Sequence, residues 1–239
     1  MKAILFSAGL GTRIQVLSNG LPKALVSING TTLLERAIEY LNTYGIKTII
    51  VNVHHESSQI KDFINNRQWP VEVIISDESD LLLDTGGGLK KVASELKDEA
   101  FFIAYNVDIL TNLNLSKMIQ YHKDKQPLAT LAIRKRSTSR YFLFDENMNL
   151  KGWENKSSNK VIKHVETELN SYAFSGIHVI SNEIFNLMPE AEIFSLTPLY
   201  LNLSKDHTIN GYIHQEDYWF DVGKPESYHQ ADMFLKTLT

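Results

Sequence analysis

Residues 1–13 read Met-Lys-Ala-Ile-Leu-Phe-Ser-Ala-Gly-Leu-Gly-Thr-Arg. The apolar run Met1–Phe6 has the length of a buried strand, and it leads directly into Gly9 and Gly11. Glycine permits torsions and close approaches that a side chain would block. A strand that ends in such a loop offers backbone N–H groups at the edge of a sheet, as anion-binding nests do. Arg13 adds a fixed positive charge, and Lys23, in Leu21-Pro22-Lys23-Ala24-Leu25, adds a second. The simplest ligand for that arrangement is a polyphosphate. Two glycines one residue apart are weak evidence alone. Ile14 stands where the dinucleotide fingerprint needs its third glycine, and the Gly-Lys-Ser/Thr of a Walker loop is absent.

Outward from this stretch, the chain alternates. Thr32 and Glu35 form a capping box, and Leu33, Leu34, Ala37, Ile38 and Leu41 repeat at helical spacing before Gly45. Lys47–Val53 is a second buried strand. Ile60, Phe63 and Ile64 mark a second helix, and Val71–Ile75 a third strand. The order β-α-β-α-β predicts an α/β fold, a Rossmann-like, mostly parallel sheet with helices on both faces. Ligands of such sheets bind beyond the carboxyl ends of the strands. That rule puts the Gly9 loop, His54-His55, Ser76-Asp77 and the end of Phe101–Tyr105 on one rim. Adjacent strand residues point to opposite faces, so His54-His55 reads as a structural or solvated pair rather than a metal site.

The second half is less regular. Leu128–Arg134, Tyr141–Phe144 and Tyr172–Ile180 read as strands, with a turn at Asn147 and a helix from Asn182. Glu154–Lys163 is polar and reads as a loop. Ile209–Ile213 and Tyr218–Val222 read as a closing pair of strands, and Pro225 opens a last amphipathic helix. No internal repeat or linker is visible, so residues 1–239 are expected to form a single domain.

Composition narrows the class. With 43% apolar and 22% charged residues among 239, the chain can bury a sizeable core. Its formal net charge of −4 argues against nucleic acid and against an anionic membrane surface as partners. There is no cysteine, hence no disulfide and no thiolate metal site. Met1–Phe6 is too short for a signal peptide, and no apolar run reaches membrane-spanning length, so a cytoplasmic enzyme, monomeric or homodimeric, is expected.

Three further stretches carry chemistry. Asp84-Thr85-Gly86-Gly87-Gly88 follows Leu81-Leu82-Leu83. Three successive glycines are costly as a mere connector, and they suggest a backbone surface pressed against a flat base or a sugar. Asp108, in Asn106-Val107-Asp108, closes the apolar run Phe101–Tyr105 and so falls at the ligand rim; as an isolated residue it could equally be a turn or cap. Asp221 lies inside the aromatic stretch Tyr218-Trp219-Phe220-Asp221-Val222-Gly223, where a carboxylate is costly unless paired or metal-bound.

Phe6-Ser7-Ala8-Gly9-Leu10-Gly11-Thr12-Arg13-Ile14 with Pro22-Lys23-Ala24-Leu25 resembles the signature of sugar-1-phosphate nucleotidyltransferases. That signature is approximately Leu-Ala-Ala-Gly-x-Gly-x-Arg-Leu followed by Pro-Lys-Pro/Ala-Leu. Ser7 replaces the usual alanine, and Gln15-Val16-Leu17 replaces Arg/Lys-Pro-Leu. The Leu-Asp-Thr-Gly-Gly-Gly form is similar to that of the small N-acetylmuramate 1-phosphate uridylyltransferases; mannose-1-phosphate guanylyltransferase-like members are also similar. The resemblance covers Met1 to about Phe234. It implies a catalytic domain alone, and the β-helix or second catalytic domain that some members carry is not expected.

The resemblance implies Mg²⁺ on Asp108 and Asp221. It implies a nucleoside triphosphate, of uridine or guanosine, held by Ala8, Gly9, Leu10, Gly11, Thr12, Arg13 and Lys23. Asp84, Thr85, Gly86 and Gly87 would lie at the base, and Asn106, Glu166, Ser175 and Gly176 at the sugar. Arg13, Lys23, Asp108 and Asp221 form the implied catalytic set. The implied reaction joins the nucleotide to a sugar 1-phosphate and releases pyrophosphate. The family's Glu-Lys-Pro lysine, which touches the sugar phosphate, has no clear equivalent: Glu154-Asn155-Lys156 lacks the proline, and Lys156 or Lys163 could serve. Two alternatives accompany this reading, a cytidylyltransferase for a phosphorylated alcohol and a catalytically silent nucleotide-sugar sensor.

Overall fold

The computed structural model describes residues 1–9 and 20–238. The first strand, β1 (Lys2–Phe6), lies inside a sheet that has ten strands among the described residues. Its side chains alternate between two cores. Ala3 and Leu5 face one and Ile4 faces the other, all fully buried, as the two-residue repeat of a strand requires.

A turn of 3-10 helix at Lys23–Leu25 and the short hairpin β2 (Ser27–Ile28) and β3 (Thr31–Thr32) precede α1 (Leu33–Thr43). The expected capping box is present: Thr32 accepts from the Glu35 amide, and the Glu35 carboxylate accepts from the Thr32 amide at 2.9 Å. Gly45 follows the helix with φ +78°, a left-handed exit suited to glycine. The chain continues through β4 (Thr48–Val53), α2 (Ser57–Asn65) and β5 (Glu72–Asp77), then α3 (Asp84–Lys91), α4 (Ala93–Leu96) and β6 (Phe101–Asn106). Strands β1, β4, β5 and β6 are parallel, in the order β6-β1-β4-β5. Phe6 therefore aligns with Asn52 and Asn106, and Asn52 with Ser76, which puts the carboxyl ends on one rim.

The other half is added largely antiparallel. It comprises β7 (Ile109–Thr111), α5 (Leu115–Lys125), β8 (Ala129–Arg134), β9 (Arg140–Phe144), β10 (Leu150–Asn155), β11 (Lys160–Lys163) and β12 (Asn170–Ser181). A 3-10 segment at Asn182–Leu187 follows, then α6 (Leu196–Leu203), β13 (Ile209–Ile213), β14 (Trp219–Asp221) and α7 (Pro225–Lys236). Strand β12 joins the halves. Its end pairs with β6, its middle with β8, and its start with β9. Residues of α1, α2, α5 and α7 line one core, and those of α3, α4 and α6 the other. The sheet is thus covered on both faces, as expected.

Two local expectations are corrected. Glu154–Lys163 is not a loop: its ends pair as the hairpin β10–β11. Because β11 lies at the sheet's edge with Lys160, Val161 and Lys163 exposed, it has no apolar repeat to reveal it. The two late strands do not pair with each other. Strand β13 runs parallel to β8, while β14 pairs with β7 away from the main sheet. The triple glycine lies within α3, where Gly86, Gly87 and Gly88 are buried.

Candidate active site

The rim is tied together by Asn52, a polar residue in the otherwise apolar strand β4. Its Oδ1 accepts from the Ser7 amide at 2.7 Å and the Ala8 amide at 3.3 Å. Its Nδ2 donates to Glu78 Oε1 at 2.9 Å. The Ser7 hydroxyl donates to the Asn52 carbonyl. This network sets the direction in which the chain leaves β1, and it gives Ser7, the departure from the family's alanine, a structural role. Gly9 is exposed, and among the described residues no atom lies within 4 Å of where a Cβ would stand. Leu10, Gly11, Thr12 and Arg13 lie outside the described residues. Burial raises the Glu78 pKa above the usual carboxylate range, against the opposing hydrogen bond from Asn52. His54 Nδ1 lies 2.6 Å from the Glu78 carbonyl, and among the described residues no three His, Asp or Glu side chains cluster as a metal site.

Lys23, Asp108 and Asp221 come from three separate parts of the chain and meet. Strands β7 and β14 pair antiparallel with Asp221 opposite Ile109, and the Val222 amide donates to the Asp108 carbonyl at 3.0 Å. That pairing sets the two aspartates side by side. Lys23 opens the 3-10 turn behind Pro22, anchored by buried Ala24 and Leu25, and its ammonium forms an ion pair with Asp108. Gly223 marks the meeting point. A Cβ there would stand 3.0 Å from Asp221 Oδ1, 3.1 Å from Asp108 Oδ2 and 3.4 Å from Lys23 Nζ. The Gly223 amide donates to Asp221 Oδ1 at 3.0 Å, holding that carboxylate in place. Two converging carboxylates suit a hard divalent cation whose remaining ligands are phosphate oxygens and water; the donor set fits Mg²⁺.

Within Asp84–Gly88, Gly86 and Gly87 pack against another segment of the protein. The amides of Gly86 and Gly87 both donate to the Phe194 carbonyl, at 2.9 and 3.1 Å. A Cβ on Gly86 would meet the Phe194 ring and its carbonyl oxygen at 2.8 Å; one on Gly87 would run into the Glu192 carbonyl. The glycines are required because the 192–194 backbone lies against this face of the helix. Thr85 Oγ1 accepts from the Leu196 amide at 3.1 Å and so ties α3 to the start of α6. The Gly86 and Gly87 amides and the Thr85 hydroxyl, expected at the base, are bonded within the fold. Asp84 remains exposed, with φ +59°. A cleft of about 410 Å³ opens beside α3 between Asp77, Glu78, Leu83 and Gly87, and neither Lys23, Asp108 nor Asp221 lines it.

On the other side, Gly176 has φ +81°, and a Cβ there would collide with Ile109 Cγ1 at 2.6 Å and crowd Asn106 Nδ2 at 3.2 Å. The glycine lets β12 break register with β8 between Phe174 and His178. Ser175 is fully buried, and its hydroxyl lies 2.7 Å from His214 Nε2, whose Nδ1 lies 2.8 Å from Asp217. The Ser175 hydroxyl, expected at the sugar, is thus engaged by His214 inside the fold. Burial lowers the His214 pKa, with Asp217 opposing. Glu166 is exposed in the segment between β11 and β12. The residues not anticipated from the sequence are Asn52, Glu78 and His214–Asp217. Only Asn52 left a sign, as one polar residue in the run Ile49-Ile50-Val51-Asn52-Val53.

The fold and this rim define a nucleotidyltransferase class. Residues 2–237 match the model of the Nucleotidyl transferase family, and the chain belongs to it. It is 28% identical to a D-glycero-alpha-D-manno-heptose 1-phosphate guanylyltransferase of Campylobacter jejuni, over 96% of this chain and 97% of that one. It is 26% identical to an N-acetylmuramate alpha-1-phosphate uridylyltransferase of Caulobacter vibrioides, over 98% and 96%. Identity is also 26% to a UTP–glucose-1-phosphate uridylyltransferase of Synechocystis, where the match takes in 97% of this chain but only 62% of the relative's length. The crystal structure of HddC from Yersinia pseudotuberculosis complexed with GMP-PN shares the fold, with TM-score 0.78, 22% identity and coverage of 98% and 99%. No helix among the described residues is long and apolar enough to cross a membrane.

Proposed function

We propose that this chain transfers a nucleotidyl group from a nucleoside triphosphate to a sugar 1-phosphate, forming a nucleotide sugar and pyrophosphate. The observation that carries this reading is the meeting of Lys23, Asp108 and Asp221 around Gly223, on the rim where β1 delivers the glycine loop. The relatives' activities, each a transfer to a sugar 1-phosphate, supply the acceptor class. An oxygen of the sugar phosphate would attack the α-phosphorus as the bond to pyrophosphate breaks. That oxygen is already ionised at neutral pH, so no protein base or covalent nucleophile is needed. Catalysis is then positioning and charge neutralisation.

Lys23 would move from Asp108 to the triphosphate when substrate arrives, exchanging one anionic partner for another. Arg13 and the loop backbone from Ala8 to Thr12 would hold the same triphosphate, with Asn106 and Gly176 toward the sugar. Asp108 and Asp221 would hold Mg²⁺, which when bound offsets negative charge on the reacting phosphates. The test is pyrophosphate release in a matrix of the four ribonucleoside triphosphates against glucose, mannose and N-acetylmuramate 1-phosphates and phosphocholine, with Mg²⁺. Release with at least one sugar 1-phosphate is expected, and the matrix assigns the base. Turnover confined to CTP with phosphocholine would replace the sugar by an alcohol, and nucleotide binding without turnover in any cell would make the chain a sensor.

A further inference from the structure

Arg136 stands in the connection between β8 and β9, outside every motif. Its guanidinium carbon lies 4.5 Å from the centroid of the Trp219 ring, and its Nη2 donates to the Phe174 carbonyl at 3.0 Å. Its Nε is buried and has no hydrogen-bond partner among the described residues. Trp219 is itself fixed, donating its indole N–H to the Ser175 carbonyl at 2.9 Å. Trp219 and Asp221 are two apart on β14, so their side chains leave the same face of the strand. A cation stacked on that indole therefore stands on the face that carries Asp221. It also stands at the Phe174–Gly176 corner, whose glycine adjoins Asn106.

We propose that Arg136 binds the phosphate of the acceptor sugar 1-phosphate and orients it toward the α-phosphorus. The inference rests on the transferase reading above. A guanidinium held flat on an indole and pinned at one nitrogen presents its other N–H groups in a fixed plane, which matches two phosphate oxygens at once. A buried N–H without an acceptor is costly, and a bound phosphate relieves that cost. Burial pulls the Arg136 pKa down while Asp221 pulls it back up, so the cation and that carboxylate sense one another. The other basic side chains nearby are engaged or turned outward. Arg134 lies farther from the same indole, 5.8 Å from the Trp219 centroid, and its Nη1, which has no hydrogen-bond partner among the described residues, stands 3.7 Å from the Asp217 carboxylate as an ion pair. Lys156 has a side chain 62% exposed and lies 3.8 Å from Glu154, and Lys163 is exposed on the edge strand β11. Arg136 thus takes the part that the displaced lysine leaves open.

The experiment is steady-state kinetics of Arg136→Gln, Arg136→Lys and Lys156→Ala with the most active nucleotide and sugar 1-phosphate of the matrix. Arg136→Gln should raise KM for the sugar 1-phosphate about tenfold or more, the scale of a lost charge-assisted pair. The nucleotide KM should change less than about threefold, since the triphosphate keeps its own cations. Arg136→Lys should recover part of the loss, and Lys156→Ala should leave the acceptor KM near wild type. Unchanged acceptor KM in Arg136→Gln, equal effects on both substrates, or a lower melting temperature with normal kinetics would each overturn the assignment. If wild-type protein releases no pyrophosphate in the whole matrix, the transferase reading fails and this role fails with it. Wild-type turnover with an indifferent Arg136 defeats the role alone.

Discussion

Two glycine sites in this protein look alike in sequence and differ in what they make room for. At Gly86 the approaching atoms are the Phe194 ring and carbonyl, at Gly87 the Glu192 carbonyl, and both glycine amides are bonded to the Phe194 carbonyl. At Gly223 the approaching atoms are the charged ends of Lys23, Asp108 and Asp221. A missing Cβ records that something comes close. It does not record whether that something is a neighbouring segment, a charged cluster or a ligand. Surroundings decide the cost of filling the space: a carbonyl in a packed segment cannot withdraw, while a side-chain end can turn aside.

The largest effect expected from this contrast is on turnover at the charged site. Asp108→Asn and Asp221→Asn should each lose about a hundredfold or more in kcat, comparable to removing one preorganised electrostatic group. Both replacements keep an oxygen that can accept from Lys23 or from the Gly223 amide, so melting temperature should move by only a few degrees. Near-normal turnover of either variant at saturating Mg²⁺ would remove the pair from the chemistry.

The glycines themselves give the next test. Gly87→Ala should destabilise the fold by about 1–3 kcal/mol, the range for overpacking a filled interior. In a chain of this size that corresponds to a fall in melting temperature on the order of 2–4 °C per kcal/mol, with kcat per folded molecule little changed. Gly223→Ala should do the reverse, lowering kcat severalfold with a smaller thermal shift. Equal thermal shifts in the two variants would erase the distinction between the sites.

The smallest effect concerns Glu78, the one ionisable group that a Cβ on Gly88 would touch, at 2.7 Å. Burial raises its pKa in the folded state. Folding therefore favours the protonated form. Its contribution is fully present below the unfolded value of about 4.3 and is lost as pH rises through the folded value. Glu78→Gln, which keeps an acceptor for Asn52, should melt slightly higher than wild type at pH 7–8. The difference should shrink toward zero near pH 4. Thermal melts across that interval decide it, and a gap that grows on acidification would assign the ionised form the stabilising role.

Much of this protein is written in local sequence. The alternation over the first 75 residues is enough to specify a parallel sheet, because strand and helix periods depend only on which positions must be buried. The Thr32–Glu35 box, the Gly45 exit and Pro225 at the start of α7 follow from backbone groups satisfied within a few residues. Asp108 could be placed on the rim because it closes a buried strand. Tertiary structure alone decided the rest. Pairing of β7 with β14 brings Asp221 to Asp108, and packing of 192–194 sets a neighbouring segment against Gly86 and Gly87. The hairpin β10–β11 lies at an exposed edge where no apolar pattern is needed. Arg136 acquires its place only when β14 brings Trp219 beneath it. Periodicity reports whether a residue is buried; only the pairing of distant strands and the docking of loops determine against what.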